Sequence, residues 1–285
     1  MKIAVLSDIH GNEIALRRCV EHVLGQGITT FFFLGDYVGD MAYPERTMAF
    51  LYDLADHYDC TFIRGNKENY WLNYRADGAR GWLDGDSTTG TMLYTYERLT
   101  DRDLEFFATL KIERKVSIEG MPKLLLCHGS PYKVNEKMLP GVERTCEIME
   151  ECDSSVILCG HTHEHGCFIH NGKCVLNPGS VGVPLYSGGK AQFLILEGSP
   201  KGWTHEFWSL DYDVEKVIDD MHQEKMDRHA PFWCRITENL LRKGDMSQGT
   251  VLERAMKLCE QESGCCRWPM IPEKYWKQAV EELLV

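Results

Sequence analysis

The fold is indicated most clearly by one stretch, Ser155-Val156-Ile157-Leu158-Cys159-Gly160-His161-Thr162-His163. Residues 155–159 form a short apolar run of the kind that favours a buried strand. If the backbone stays extended, His161 and His163 point in the same direction, because alternate side chains of a strand share a face. Neutral imidazole is a common metal ligand, so the pair could hold one ion or reach towards two. Taken alone, a His-x-His pair is equally compatible with an ordinary surface.

Other apolar runs in the chain end in the same way. Residues 3–6, 31–34, 60–63 and 123–127 are further predicted strands. At or just beyond the ends of these runs stand ligand-type side chains: Asp8, His10, Asp36, Asn66, His128, His161 and His163. Sites in open α/β sheets form outside the carboxyl ends of the strands. Any one of these seven residues could be a turn-forming Asp or Asn, or a hydrogen-bonded histidine, but coincidence does not account for all seven.

The chemistry of these side chains narrows the kind of site. Four imidazoles, two carboxylates and one amide, with no thiolate, do not resemble a closed structural zinc site. They suit manganese, iron, cobalt, nickel or zinc. Seven donors exceed what one catalytic ion with an open position needs, but they suffice for two ions that share a carboxylate. We therefore predict two divalent transition-metal ions, separated by roughly 3.5–4 Å in sites of this kind.

The remaining pattern predicts alternating helices and strands, followed by helices only. We expect helices at 13–24, 44–58, 100–110 and 142–150, and a hairpin turn at Asn171-Gly172. Further predicted segments are strands 113–118, 168–170, 174–176, 191–196 and 203–209, and helices 214–228, 232–243, 250–262 and 273–284. We accordingly divide the chain into an α/β domain at 1–210, with an aromatic helical insert at 69–96, and a helical C-terminal extension at 211–285.

Composition excludes several classes of protein. The 285 residues carry a formal charge of −12, which argues against binding a nucleic-acid duplex through its backbone. No run approaches the ~18 apolar residues of a membrane span, and the N-terminus meets polar residues too early for a signal peptide. The twelve cysteines show no paired metal-site spacing, so we expect reduced thiols and a cytoplasmic protein.

The ordered motifs carry a resemblance to a known family. Asp-x-His at 8–10, Gly-Asp at 35–36, Gly-Asn at 65–66, His-Gly at 128–129 and Gly-His-x-His at 160–163 resemble the calcineurin-like metallophosphoesterase superfamily. The resemblance covers about residues 1–210. It implies an α/β fold with two packed mixed β-sheets flanked by helices, a four-layer α/β/β/α sandwich. It also implies hydrolysis of phosphomonoesters or phosphodiesters by a metal-bound hydroxide.

The resemblance also implies roles for the predicted ligands. Asp8, His10 and His163 would hold the first ion, and Asp36 would bridge the two. The second ion would be held by Asn66, His128 and His161. The histidine pair thus acts as a fork, with one imidazole on each ion.

Lys67 departs from the family pattern, in which histidine often follows Gly-Asn and protonates the leaving oxygen. An unperturbed lysine is a poor proton shuttle at neutral pH but a good point charge for phosphate. We therefore expect Lys67 to stabilise negative charge. Two readings stay open: nearby ions could lower its pKa enough for acid catalysis, or it could be an ordinary exposed lysine in the first turn of a helix.

Several substrate classes remain open. Asp-Ile-His-Gly-Asn at 8–12 and Asn-Pro-Gly-Ser-Val-Gly at 177–182 are similar to a bacterial branch of small phosphodiesterases and phosphatases, some of which cleave dinucleoside polyphosphates. The insert could be a packing patch, or it could cover the site or stack a base through Tyr70, Trp71, Tyr74 and Trp82. A catalytically silent scaffold is the alternative to an enzyme. We expect three tryptophans of the C-terminal extension to pack against the core or against a second subunit of a homo-oligomer. They are Trp233, Trp268 and Trp276.

Overall fold

The computed structural model describes residues 1–284, in which apolar runs form strands and amphipathic segments form helices. The strands are β1 (Lys2–Leu6), β2 (Thr30–Phe33), β3 (Asp59–Phe62), β4 (Glu113–Val116), β5 (Leu124–Cys127), β6 (Val156–Leu158), β7 (His165–His170), β8 (Lys173–Pro178), β9 (Ala191–Ser199) and β10 (Gly202–Leu210). The helices are α1 (Glu13–Gly25), α2 (Pro44–His57), α3 (Asn66–Ala76), α4 (Gly90–Tyr96), α5 (Asp101–Thr109), α6 (Glu143–Glu151), α7 (Val214–Gln223), α8 (Met226–His229), α9 (Pro231–Lys243), α10 (Gln248–Ser263) and α11 (Glu273–Leu283).

Two mixed five-stranded sheets organise the strands. The first has the order β10-β9-β1-β2-β3, with β1, β2 and β3 parallel and β9 and β10 antiparallel. The second has the order β4-β5-β6-β8-β7, with β5, β6 and β8 parallel and an antiparallel strand at each edge. The parallel strands direct their carboxyl ends to one end of each sheet, where the predicted ligands follow them.

Alternate side chains of the strands build the layers. Ile3 and Val5 of β1 face the second sheet, where they share a core with Leu124 and Leu126 of β5. Residues at the intervening positions, such as Ala4 and Leu6, pack instead with the helices on the outer face. This period of two is what a strand buried on both faces requires. The predicted α/β/β/α sandwich is therefore confirmed.

One segment differs from the predicted pattern. The helix expected at 214–228 is interrupted, because Lys225 adopts a left-handed backbone with φ 56° between α7 and α8. The insert forms α3 and α4 joined by an irregular loop. The predicted hairpin turn is present, since Asn171 and Gly172 both have positive φ, 48° and 77°.

The helices after β10 include a core of their own. Trp276 of α11 is fully buried there, as its predicted packing role requires, and its Nε1 donates to Thr88 Oγ1 at 3.0 Å. Glu273 also accepts from the backbone and hydroxyl of Ser87 at 2.7 and 2.8 Å. These contacts attach α11 to the segment before α4. The domain boundary near residue 211 stays a prediction. Within residues 1–284, no helix has both the length and the apolar character needed to cross a membrane.

Candidate metal centre

The predicted ligands lie on loops at the strand ends, and most of these loops have an unusual backbone. Five of the ligands have positive φ, between 52° and 68°: Asp8, His10, Asp36, His161 and His163. A left-handed conformation in a residue other than glycine costs about 1–3 kcal/mol and persists only where its surroundings hold it. Hydrogen bonds supply part of that hold, since Asp8 N donates to Gly35 O at 3.1 Å and His10 N donates to Asp36 O at 2.9 Å. The backbone is not extended at His161 and His163, so the condition under which their side chains would share a strand face is not met.

Glycines allow these loops to approach one another. A Cβ on Gly160 would lie 2.1 Å from Ser7 Oγ and 2.7 Å from Asp8 Oδ2. A Cβ on Gly65 would lie 2.2 Å from Asp36 Oδ1. No real Cβ tolerates such distances, so the Gly-His and Gly-Asn motifs have a steric reason as well as a chemical one.

The ligand side chains converge into two adjacent groups. In the first, Asp8 Oδ1 lies 3.2 Å from His163 Nε2 and 3.8 Å from His10 Nε2. In the second, Asp36 Oδ2 lies 3.5 Å from His128 Nε2, and Asp8 Oδ1 lies 3.8 Å from the same nitrogen. Within each group, one ligand atom per residue lies within 4.8 Å of every other. The two groups share Asp8 and are therefore contiguous.

Asp36 and Asn66 both lie beside the histidines of the cluster. Asp36 Oδ2 lies 3.6 Å from His10 Nε2 as well as near His128, so this carboxylate of the second group also lies close to a histidine of the first. Asn66 Oδ1 lies 3.1 Å from His128 Nε2. The rings of His128 and His161 are 5.3 Å apart, centroid to centroid. All seven predicted residues thus come together, although their division between two ions stays a prediction.

The donor set fits divalent cations. Asp8 Oδ1 and His10 Nε2 are buried and make no hydrogen bond within residues 1–284. Unpaired buried polar atoms are rare in folded proteins, and an ion satisfies several of them at once. His128 Nδ1 donates to Leu34 O at 2.7 Å, which directs its Nε2 into the cluster. The backbone N of His161 donates to Asp8 Oδ2 at 3.0 Å and leaves the other oxygen free.

Electrostatics also favour added positive charge. Burial alone would lower the pKa of His10, but Asp40, Asp8 and Asp36 outweigh it and raise the pKa to about 9. Burial alone would also lower the pKa of His128, but the charges of Asp36 and Asp8 outweigh it and raise the pKa to about 10. Burial and the charge of His128 lower the pKa of His161 to about 4. Without metal, therefore, two protonated histidines balance the carboxylates.

Asp40 is a functional residue that the sequence did not single out. It is fully buried, and its Oδ2 lies 2.7 Å from His10 Nδ1, on the side of the ring away from the cluster. Its Oδ1 accepts from Lys67 Nζ at 3.1 Å and from Trp233 Nε1 at 2.9 Å. The available signal was a carboxylate four positions after Asp36 in the same loop.

Lys67 is buried and paired, so its interpretation as an exposed lysine is wrong. Only 8% of its surface is accessible. Burial alone would lower the pKa of Lys67, but the charges of Asp40 and Asp36 raise it above its usual value. The side chain thus carries a fixed positive charge beside the cluster.

Glu68 holds the loop that carries Asp36, a role that the sequence did not indicate. Its carboxylate accepts from the backbone N–H groups of Gly65 at 2.6 Å, Asp36 at 3.0 Å and Tyr37 at 2.9 Å. Burial and the nearby charge of Asp36 raise the pKa of Glu68 to about 7. Glu68 therefore binds the Asp36 loop to the first turn of α3.

A cleft of about 460 Å³ opens above the cluster. Its floor includes His10, Asp36, Asn66, His161 and His163, and its walls come from α3, α4, the loop before α6, and the C-terminal helices. The lining also contains Trp233 and Trp268, so these two residues are not confined to the packing role expected for them.

The aromatic insert mainly packs against itself. Tyr74 and Trp82 are stacked with centroids 3.8 Å apart, and Trp71 meets Trp82 edge to face at 5.7 Å. Trp71 is fully buried. Of the four aromatic residues proposed to cover the site or stack a base, Tyr70 alone lines the cleft. The packing interpretation is therefore correct for the other three.

Comparison with known proteins agrees with this geometry. The calcineurin-like phosphoesterase superfamily domain matches residues 1–199. An uncharacterized protein of Methanocaldococcus jannaschii, MJ0912, is 28% identical over 243 residues, covering 79% of this chain and 93% of that protein.

Two solved structures share the fold. Hypothetical protein PH1004 from Pyrococcus horikoshii OT3 superposes with a TM-score of 0.70 at 22% identity, covering 86% of this chain and 99% of the other. A metallophosphoesterase from Sphaerobacter thermophilus gives a TM-score of 0.60 at 20% identity, covering 81% and 99%. With the family match over most of the chain and a metal-ligand cluster at the strand ends, the protein belongs to the calcineurin-like phosphoesterase superfamily and is a metal-dependent phosphoesterase.

Proposed function

We propose that the protein binds two divalent transition-metal ions and hydrolyses a small phosphodiester or phosphomonoester. The observation that carries the proposal is the pair of contiguous ligand groups, which share Asp8 and in which Asp36 of the second group lies 3.6 Å from His10 of the first. Asp8, His10 and His163 would hold one ion, and Asn66, His128 and His161 the other. When bound, two such ions supply positive charge against the phosphoryl oxygens and lower the pKa of water.

The protein's own residues would orient and complete this centre. The Leu34 carbonyl fixes the ring of His128, and Asp40 holds His10 from behind. Lys67 supplies a further positive charge beside the floor of the cleft. Because Lys67 Nζ is paired with Asp40 Oδ1 at 3.1 Å, we expect Lys67 to stabilise negative charge rather than to protonate the leaving group. An activated leaving group therefore needs no acid from Lys67, whereas a poor one depends on water for its proton.

The first test is turnover by metal-reconstituted protein. p-Nitrophenyl phosphate and bis(p-nitrophenyl) phosphate serve as the monoester and diester, with manganese, iron, zinc, nickel and cobalt each supplied in turn. Elemental analysis should give two ions per chain, and hydrolysis should exceed the metal-free rate.

Variants at two histidines provide the control. His128→Ala removes a buried ligand and should abolish turnover, while His205→Ala alters an exposed histidine on β10 and should leave it unchanged. A folded protein that holds two ions and hydrolyses neither ester would be a scaffold rather than an enzyme. A stoichiometry of one ion would contradict the dinuclear centre.

A further inference from the structure

The far wall of the cleft is aromatic. Tyr70 of α3 and Trp268, which lies between α10 and α11, both line it, with ring centroids 5.4 Å apart and planes inclined by 31°. Trp268 is 41% exposed, so much of its ring remains available for contact. The cleft volume of about 460 Å³ is typical of a site for an organic ligand and exceeds the needs of a phosphoryl group alone.

Charge is concentrated at the floor of the cleft. Lys67 is paired with Asp40, and the lining also contains Lys137 and Glu164, which carry opposite charges. The remaining polar lining is neutral and includes Thr88, Thr91, Thr162, Ser247, Gln248 and Thr250. The upper cleft therefore offers hydrogen bonds and aromatic surface, but little net positive charge. A ligand bearing many negative charges would find them matched only at the floor.

We propose that the cleft selects an ester whose negative charge is confined to the reacting phosphoryl group and which carries a planar aromatic substituent stacked against Trp268 and Tyr70. This inference rests on the proposed function, because the floor must bind the phosphoryl group. It favours an aromatic phosphodiester over a dinucleoside polyphosphate, whose additional phosphates would lie along neutral walls. The helices after β10 thereby take part in substrate selection.

The kinetic test compares two diesters with the same leaving group. In p-nitrophenyl methyl phosphate and p-nitrophenyl phenyl phosphate, water adds to phosphorus, the same P–O bond breaks and p-nitrophenolate leaves, while the methyl or phenyl group stays on the phosphate. The rate of hydrolysis of each ester by metal-loaded protein is divided by the rate that metal-free protein gives with the same ester. Stacking of one aromatic group predicts a kcat/KM about tenfold higher for the phenyl ester.

Variants of Trp268 test whether this side chain forms the aromatic subsite. Trp268→Ala should reduce the phenyl-to-methyl ratio to about twofold or less, and Trp268→Phe should preserve most of it, since a phenyl ring still stacks. Met270→Ala is the matched control, because Met270 lies on the same segment, is 71% exposed and does not line the cleft. It should leave the ratio unchanged. Circular dichroism establishes that each variant is folded.

A binding measurement separates this inference from the proposed function. Phenylphosphonate and methylphosphonate cannot be hydrolysed, and their affinities for metal-loaded protein are measured by calorimetry. About tenfold tighter binding of phenylphosphonate, lost in Trp268→Ala, supports the aromatic subsite even if neither diester is hydrolysed. Equal affinities overturn it even if both diesters are hydrolysed. Absence of turnover with both diesters contradicts the diesterase activity alone.

Discussion

The strand-end cluster and the aromatic wall of the cleft are built in different ways. The cluster consists of buried side chains on tightly interlocked loops, with His128 and Asp8 fully enclosed. The wall is made by side chains from distant parts of the chain, Tyr70 of α3 and Trp268 between α10 and α11, and Trp268 is 41% exposed. The cluster is therefore suited to fixed chemistry and the wall to substrate choice, so changes in the two regions should have separable effects.

A hydrogen bond links the C-terminal helices to the residue that supports the cluster. Trp233 of α9 donates to Asp40, and Asp40 in turn contacts His10 and Lys67. The C-terminal helices thus touch the support of a predicted metal ligand as well as the substrate cleft. Substitutions along this connection test whether the two regions are independent.

Removal of metal should have the largest effect. Chelation is expected to reduce kcat/KM by at least about 10³-fold, because the ions supply several kcal/mol of charge stabilisation. Far-UV circular dichroism should stay unchanged, since protonated His10 and His128 balance the carboxylates without metal. Re-adding metal should restore activity. Full activity in protein shown to be free of metal would contradict the metal dependence of the reaction.

Metal affinity should depend steeply on pH. At pH 7 the metal-free protein holds protons on His10 and His128, whose pKa values are about 9 and about 10, while His161, with a pKa of about 4, is already neutral. Binding therefore releases about two protons, and affinity rises about 100-fold per pH unit below pH ~8. Calorimetry in buffers of different ionisation enthalpy counts these protons. Zero proton release would contradict the predicted charge state.

Asp40→Asn should weaken metal binding by about 10- to 100-fold, because it removes the charge that supports His10. It should also lower kcat, since Lys67 loses its charged partner. Asp219→Asn changes an exposed carboxylate on α7 and provides the matched control. Unaltered metal affinity in Asp40→Asn would show that this carboxylate supports only the fold.

Trp233→Phe should have the smallest effect, a reduction of metal affinity by about tenfold or less, because it removes one hydrogen bond to a carboxylate. Trp203→Phe removes a comparable bond, from Trp203 Nε1 to Pro122 O at 2.8 Å, far from the cleft. Both variants should lose similar thermal stability. If their metal affinities are also equal, the C-terminal helices act on the substrate alone.

Much of the cluster was predictable because its information is local. Each ligand follows a short apolar run, and parallel strands bring such run ends to the same end of a sheet. The glycines before Asn66 and His161 also stand beside their ligands in the sequence. For these reasons all seven residues of the cluster could be inferred before their contacts were seen, whereas the α/β/β/α sandwich was implied by the family resemblance of the ordered motifs.

Long-range contacts could not be inferred in the same way. The bond between Trp233 and Asp40 joins residues 193 positions apart, and the Tyr70–Trp268 pair likewise crosses most of the chain. Periodicity reports which face of an element is buried, but it does not report what packs against that face. The sequence pattern therefore predicts a packing role for Trp268 and leaves open an exposed position for Lys67.

The sequence by itself determined the strand-end ligands and the chemistry those ligands suit, because apolar runs and their ends are local properties of the chain. Its ordered motifs implied the sandwich through their family resemblance. Tertiary structure alone decided the burial of Lys67, the support of His10 by Asp40 and the aromatic wall of the cleft. These features depend on distant helices meeting the strand ends. Their energies arise from packing and charge contacts between segments that no short stretch of sequence specifies.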